Sequence, residues 1–214
     1  YSLDHSQICQ KGGFIHMRHD ESKTLFAALC SQVFRDVETE PKLLPLTGEE
    51  MQLKSAITTD EARSDVRVRG FFKRQQSAYF EFRGCHPLAQ SYIKKDPEAL
   101  FESVRKTRAW ECKQRITDVD CGSFTAMVFT STGAVGPCMD RAIKSLSFRL
   151  ADKSKEAPSH VIGIVRARFA FANARSALIC LRGSRNRWSS GRSYTEILED
   201  PAEIVFRNTG LDRD

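Results

Sequence analysis

The sequence predicts an α/β domain with a small mixed sheet and extra helices at its C-terminal end. A segment with helical periodicity comes first, extended segments follow, and a second long helix separates them from a last strand. Two more helices complete this alternation, which is typical of an α/β fold. The predicted segments are a helix at 20–35, an extended segment at 36–46, strands at 64–69 and 77–83, a helix at 97–116, a strand at 123–133, and helices at 138–152 and 159–182.

The composition is that of a folded protein with an anionic partner. The chain has 214 residues, 41% of them hydrophobic and 28% charged, which is enough to bury a core. A net charge of +6 and a pI near 9.0 favour an anionic partner without identifying it. Seven irregularly spaced cysteines, with no signal peptide and no bilayer-spanning apolar run, predict reduced thiols in an intracellular protein outside the membrane.

The first 19 residues contain half of a possible zinc site. His5 and Cys9 have the spacing of the second half of a Cys-Cys-His-Cys zinc knuckle, but no Cys-x2-Cys pair precedes them. His16 and His19 are the nearby nitrogen ligands that could complete such a site. The alternative is an exposed histidine and a free thiol at a frayed terminus. A half-site so close to the first residue predicts that the chain is a piece of a longer polypeptide.

The helix predicted at 20–35 opens with two acids, Asp20 and Glu21, in the turn where a helix favours negative charge. Leu25, Phe26 and their helical neighbours form its apolar face. Glu21 lies one turn before Leu25, at the edge of that face. It is therefore either a surface acid that complements the helix dipole or an acid directed toward a site.

The two central strands each predict one polar and one apolar face. In 64–69 the alternation places Val66 and Val68 opposite a polar row, and in 77–83 it places Phe80 and Phe82 opposite another. The polar rows consist of Asp65, Arg67 and Arg69 in the first strand and Tyr79, Glu81 and Arg83 in the second.

If these strands pair antiparallel through a turn at 73–76, Asp65 approaches Glu81. Two neighbouring carboxylates repel unless a cation lies between them, so this pair is a candidate divalent-metal site. The alternative is that both acids are solvated charges on an exposed strand face. Nearby Arg83 is suited to neutralising the charge of a phosphate.

The rest of the chain excludes two large enzyme classes. A helix begins at Pro97, the strand at 123–133 ends in a glycine, and the final residues are Ser/Arg-rich and then acidic. The sequence has no Gly-rich phosphate loop and no GxSxG turn, which argues against a P-loop NTPase and an α/β-hydrolase. We predict three parts: a knuckle-like segment and linker at 1–19, the folded domain at 20–182, and a tail at 183–214.

The order of elements resembles the αβββαβ core of the PD-(D/E)XK, restriction-endonuclease-like superfamily. Residue by residue, that motif falls on Glu21 in the first helix, Asp65 in the second strand, and the sequence Glu81-Phe82-Arg83 in the third. The chain departs from the motif at Ser64, where the family usually has proline. It also has Arg83 where the family has lysine, and a guanidinium cannot give up its proton as an ammonium can.

A narrower resemblance is to the C-terminal region of non-LTR retrotransposon polyproteins. There a zinc knuckle precedes a restriction-like endonuclease, downstream of a reverse transcriptase. The segments that carry the resemblance are 9–20, 64–71, 123–133 and 177–185. Endonucleases of these elements have an Asp followed by a second acid after about a dozen residues, and 15 residues separate Asp65 from Glu81 here.

The resemblance implies a Mg²⁺- or Mn²⁺-dependent endonuclease that nicks DNA for integration of the element, in the nucleus. Glu21, Asp65, Glu81 and the carbonyl of Phe82 would hold the metal, and Arg83 would stabilise the phosphate; Zn²⁺ would bind at His5 and Cys9. Residues that would contact DNA are Arg67, Arg69, Lys73, Arg74 and Lys113. Lys73, Lys113 or Arg83 would take the role of the lysine that the motif usually has. Element RNA is a further partner. The alternatives are an inactive nucleic-acid-binding module of the same fold and a protein-interaction domain.

Overall fold

The computed structural model describes residues 3–9, 14–44 and 62–182, without the side chains of 107–112. The sequence also predicts a helical turn at 48–54 and a short helix at 194–199, and both lie outside these ranges. The described elements are α1 (Leu3–Ile8), α2 (Phe14–Ser31), β1 (Val37–Thr39), β2 (Val66–Arg69), β3 (Ser77–Cys85), α3 (Pro97–Gln114), a π-helical turn (Arg115–Val119), β4 (Ser123–Thr130), α4 (Pro137–Ser154) and α5 (Pro158–Arg182).

The strands form one mixed open sheet in the order β1-β2-β3-β4. β2 is antiparallel to both β1 and β3, whereas β3 and β4 are parallel. A parallel neighbour requires a long crossover connection, which α3 supplies between β3 and β4. The α/β class, the small mixed sheet and the additional C-terminal helices predicted from the sequence are therefore confirmed.

A tight turn joins β2 to β3 and sets their register. Gly70 and Gln75 have positive φ angles of 82° and 66°, a conformation that glycine adopts without steric cost. The amide of Gly70 donates to the carbonyl of Gln76 at 2.8 Å, which closes the turn. The antiparallel pairing of these two strands predicted from the sequence is confirmed.

Helices cover both faces of the sheet. The main core lies between the sheet and the helices α2, α4 and α5, and its buried side chains include Phe26, Phe71, Phe80, Phe82, Met127, Ile143 and Leu146. On the opposite face, α3 packs Leu100 and Val104 against Cys85 of β3. Because β3 is covered on both sides, the strand face that the sequence predicts to be polar lies largely inside the protein.

The first long helix begins earlier than predicted, at Phe14 and not near Asp20. Asp20 therefore lies in the second turn, where its carboxylate contacts His19 at 3.1 Å and Lys23 at 3.1 Å. Side-chain pairs of this kind, rather than the helix dipole, account for its position. The N-terminal segment predicted as a linker consequently contains α1 and the first turns of α2.

None of the helices in the described ranges is both long enough and apolar enough to cross a bilayer.

Candidate metal site and nucleic-acid interface

Asp65 and Glu81 are brought together at the start of β2. Val66 pairs with Phe80 in the antiparallel register, so the next opposing positions are Asp65 and Glu81. The amide of Phe82 donates to Oδ2 of Asp65 at 2.6 Å, which fixes this carboxylate against the backbone of β3. The N–H and C=O of one strand residue point to the same side, so the Phe82 carbonyl is directed toward the Asp65 edge of β3.

Ser64, at the position where the motif that the sequence resembles usually has proline, is buried and uses both of its donors. Its amide donates to the carbonyl of Pro41 at 3.1 Å, and its hydroxyl donates to the carbonyl of Phe80 at 3.4 Å. A proline at this position has no amide hydrogen and would lose the first bond. Serine therefore performs a local structural role here, holding the residue before Asp65 against β3.

Glu81 is buried, with only 2% of its surface exposed. Its strand neighbour in β4 is Ala126, and the adjacent Tyr79 on the same face packs against Ile116 of the π-helical turn. Burial of a carboxylate is unfavourable unless the group is hydrogen-bonded or neutralised. The side chain is thus not a solvated strand charge, which was the alternative open at the level of sequence.

His19 is the side chain that the structure adds to this site. Its Nε2 lies 3.0 Å from Oδ2 of Asp65, and its Nδ1 lies 3.1 Å from Oδ1 of Asp20. Burial lowers the pKa of His19, but hydrogen bonds to Asp20 and Asp65, together with their charges, outweigh burial and raise the pKa to about 9. An imidazolium therefore bridges two carboxylates at neutral pH.

The sequence predicts His19 as a ligand that could complete a zinc site and not as a partner of Asp65, because the predicted helix begins too late, near Asp20. With α2 beginning at Phe14, His19 and Lys23 are one turn apart and share a face. Lys23 contacts Glu40 at 2.6 Å and Asp20 at 3.1 Å. Burial alone lowers the pKa of Lys23, but hydrogen bonds to these two acids raise it above its usual value.

Glu21 faces α5 and not Asp65. It lies two residues after His19, which on a helix corresponds to nearly the opposite side. The hydroxyl of Ser176 donates to one oxygen of Glu21, and the Nε of Arg175 lies 3.4 Å from the other. Within the described ranges, no three His, Cys, Asp or Glu side chains are grouped as the ligands of one metal ion. The structure therefore unites two of the three predicted acids.

The basic residues proposed to replace the motif lysine are all exposed. Arg83 projects from β3, Lys113 lies in the last turn of α3, and Lys73 lies in the turn at the far end of β2. None of the three forms an ion pair with Asp65 among the contacts described. The cation that does contact Asp65 is His19.

Four predicted DNA-contacting residues line one open cavity of about 490 Å³ at the β2–β3 turn, which we term the basic cavity. Its basic residues are Arg67, Arg69, Lys73 and Arg74. Arg67 is ion-paired with Asp36 and Glu38, each at 3.0 Å, whereas the other three are exposed. The cavity thus groups these four residues, with three cations directed outward, and that they contact DNA stays a prediction.

Tyr79 is buried and interacts with Arg67 and Asp120, two of the residues that line this cavity. Burial raises the pKa of its hydroxyl to about 12, and the nearby Asp120 adds to the effect. The phenol is therefore neutral throughout the physiological range. A cβ at Gly122 would come within 2.8 Å of the Tyr79 ring, so glycine is needed where the chain passes over it.

The half-knuckle residues lie on and beside a helix. The amide of Cys9 donates to the carbonyl of His5 at 2.9 Å, and His5 is exposed on α1. Other α1 side chains dock this helix on the domain, because Asp4 contacts His86 at 3.1 Å and Gln7 donates to the carbonyl of Ala177 at 3.1 Å. Zinc binding at His5 and Cys9 stays a prediction.

A scan against protein-family models and a search of curated proteins return no match to this chain.

Proposed function

We propose that this chain is a metal-dependent DNA endonuclease of the restriction-endonuclease-like type. The observation that carries the proposal is the anchoring of Asp65 on the amide of Phe82, opposite the buried Glu81. The two carboxylates at opposing strand positions, together with the carbonyl of Phe82, would form an all-oxygen ligand set, which Mg²⁺ and Mn²⁺ prefer. The order α2-β1-β2-β3-α3-β4 agrees with the αβββαβ order that the resemblance implies.

Each protein residue at the site would have a distinct role in phosphodiester hydrolysis. A bound Mg²⁺ or Mn²⁺ would supply Lewis-acid polarisation of the phosphate and a more acidic water. Asp65 and Glu81 would hold that ion, and the hydrogen bond from Phe82 keeps Asp65 oriented for it. Among the described residues both hydrogen bonds to the Asp65 carboxylate are made to Oδ2, so Oδ1 is the oxygen left for a metal.

Positive charge near the site comes from two side chains. Arg83 follows the acid of β3 by two residues on the same strand face, where an exposed guanidinium can pair with a phosphate through two hydrogen bonds. His19 places a second cation on Asp65 itself. Neither can act as the motif lysine does, so in this proposal they stabilise phosphate charge and the ionised carboxylate.

The basic cavity and the acid pair are spaced for one DNA duplex. Arg69 lies four residues from Asp65 along an extended strand, which is about 13 Å. That separation corresponds to about four base-pair steps of 3.4 Å each. Arg69, Lys73 and Arg74 would therefore contact backbone phosphates a few nucleotides from the reacting one, which gives affinity that depends on salt and not on sequence.

The biological setting follows the retroelement resemblance. In that setting the chain is part of a polyprotein with a reverse transcriptase, acts in the nucleus, and leaves a 3′ hydroxyl that primes DNA synthesis on element RNA. The second candidate function is an inactive nucleic-acid-binding module. The observation that favours it is His19, because this cation already occupies the Oδ2 side of Asp65.

Nicking of supercoiled plasmid with Mg²⁺ or Mn²⁺ tests the proposal. Wild type is compared with Asp65→Asn and Glu81→Gln, and with Asp152→Asn, an acid on α4 whose side chain is 86% exposed. We expect metal-dependent nicking by wild type and by Asp152→Asn, and none by the two site variants. Salt-sensitive DNA binding without nicking would instead establish the binding module.

A further inference from the structure

Helix α5 has a second apolar face that no described element covers. Its inner face packs into the main core through Val161, Val165 and Phe169. On the other side, Phe171, Leu178 and Leu181 are 72%, 59% and 45% exposed. A helix that is apolar on two sides is expected to be buried on both.

The exposed apolar positions belong to a row with a heptad pattern, whose first member, Ile164, is half-buried. They occur at alternating intervals of three and four residues, which is the spacing of the a and d positions of a coiled coil. We call this row the outer seam, and it consists of Ile164, Ala167, Phe171, Ala174, Leu178 and Leu181. The seam covers 18 residues of helix, or about 27 Å. Scattered exposed apolar residues are ordinary, but a continuous row of this length is not.

The two edges of the outer seam differ in charge and size. The a positions of the seam are Ile164, Phe171 and Leu178, and the d positions are Ala167, Ala174 and Leu181. On one edge, each d residue is followed by an arginine: Arg168, Arg175 and Arg182. On the other edge, the position before each a residue is small: Gly163, Ala170 and Ala177. In coiled coils these flanking positions select the partner through interhelical ion pairs.

Gly163 is a second, independent sign of a close neighbour. Glycine inside a helix is unfavourable relative to alanine. A Cβ placed on Gly163 would meet nothing within 4 Å, so the packing of this chain does not require glycine there. A helix that approaches closely along this edge does require a small residue.

We propose that the outer seam binds an amphipathic helix of a partner protein whose apolar stripe is flanked by glutamate or aspartate. A second copy of this chain fits less well. An antiparallel copy would place the arginine edges against each other, and a parallel copy would place each arginine against alanine or glycine. An acidic helix can pair with Arg168 and Arg182, because Arg175 already contacts Glu21, and Gly163 and Ala170 on the other edge let it pack closely. This proposal does not depend on the nuclease function.

Two designed 28-residue peptides test this surface. Both carry Leu at the a and d positions, one with Glu and the other with Lys at every flanking position, so that like charges keep each peptide monomeric. The fluorescein-labelled peptides are titrated with the full chain, and binding is followed by fluorescence anisotropy at low and high salt. We expect the Glu peptide to bind at least about tenfold more tightly than the Lys peptide, and less tightly at high salt.

Matched variants distinguish peptide binding at the outer seam from nonspecific hydrophobic binding. Phe171→Ser/Leu178→Ser should weaken binding of the Glu peptide at least about tenfold. Phe148→Ser, at a phenylalanine on α4 that is 56% exposed, should not. Arg168→Glu/Arg182→Glu should transfer the preference to the Lys peptide, a gain that misfolding cannot imitate. Equal affinity for both peptides, binding of neither, an equal loss in Phe148→Ser, or self-association that Phe171→Ser abolishes would each overturn the proposal.

Discussion

The two ends of β2 show two different ways of presenting charge. At the Asp65 end, the acid is held by a backbone amide and by His19, and its neighbour Glu81 is buried. At the Arg69 end, the cations of the basic cavity are exposed on a turn. Contacts from α2 and β3 hold the side chains at the first end in place. The positive charge at the second end comes from exposed basic residues that are close together in the sequence. Substitutions should therefore have large, specific effects at the first and small, salt-dependent effects at the second.

The largest expected effect is on activity at the Asp65 end. Asp65→Asn keeps an oxygen to accept the Phe82 amide but removes the charge that would hold a metal. We expect nicking of plasmid to fall at least about 100-fold in a protein that still folds. Asp65→Ala also leaves the Phe82 amide without its acceptor, and should lower the free energy of unfolding by about 1–3 kcal/mol.

The next effect is a pH dependence of stability that arises from His19. Its pKa in the folded chain, about 9, lies above the value of about 6.5 expected when unfolded. Its contribution to stability is therefore complete below about pH 6.5 and is lost as the pH rises through about 9. Urea unfolding in EDTA between pH 6 and 10 measures this loss.

The matched control for His19 is an exposed histidine on another helix. His19→Asn should flatten the alkaline part of the stability profile, whereas His160→Asn, at a side chain 63% exposed, should leave it as in wild type. A profile that is unchanged in His19→Asn would mean that the imidazolium bridge to Asp65 does not form.

Smaller effects are expected in the basic cavity. Arg69→Gln, Lys73→Gln and Arg74→Gln should each weaken DNA binding uniformly across sequences and reduce the slope of log affinity against log salt by about one. Lys144→Gln, on α4 and paired with Asp140 at 2.8 Å, is the control and should change neither. Sequence-selective losses would show that these residues read bases and not phosphates.

The smallest expected effect concerns Gly163 on α5. Gly163→Ala should raise the free energy of unfolding by about 0.5–1 kcal/mol, because the new methyl group meets open space. The same change should weaken binding of the Glu peptide to the outer seam. If the variant is more stable and still binds the peptide as well as wild type does, Gly163 is not needed for close packing of a partner helix.

The sequence predicts the elements well because their signals are local. The alternation in 64–69, the aromatic strand at 77–83 and the long helical periodicity of 159–182 correspond to β2, β3 and α5. The antiparallel register that pairs Val66 with Phe80 follows from the same alternation and the short turn.

The side-chain environments could not be predicted, because they depend on distant segments. Glu21 is turned toward Ser176, 155 residues later in the chain. Glu81 is buried because α3 and the π-helical turn cover a strand face that the sequence alternation predicts to be polar. The contact of His19 with Asp65 was not predicted for a local reason. Asp20 and Glu21, which follow His19, are typical of the first turn of a helix, so the predicted helix began too late.

Binding of Mn²⁺ to the full chain tests the central claim most directly, because it does not require a DNA substrate. Electron paramagnetic resonance of free Mn²⁺ measures the bound fraction for wild type, Asp65→Asn, Glu81→Gln and Asp152→Asn. We predict a site in wild type and Asp152→Asn that is lost or weakened at least about tenfold in the other two variants, each checked for folding by circular dichroism. Absence of binding in wild type, or equal binding in all four folded proteins, would contradict a metal site at Asp65 and Glu81.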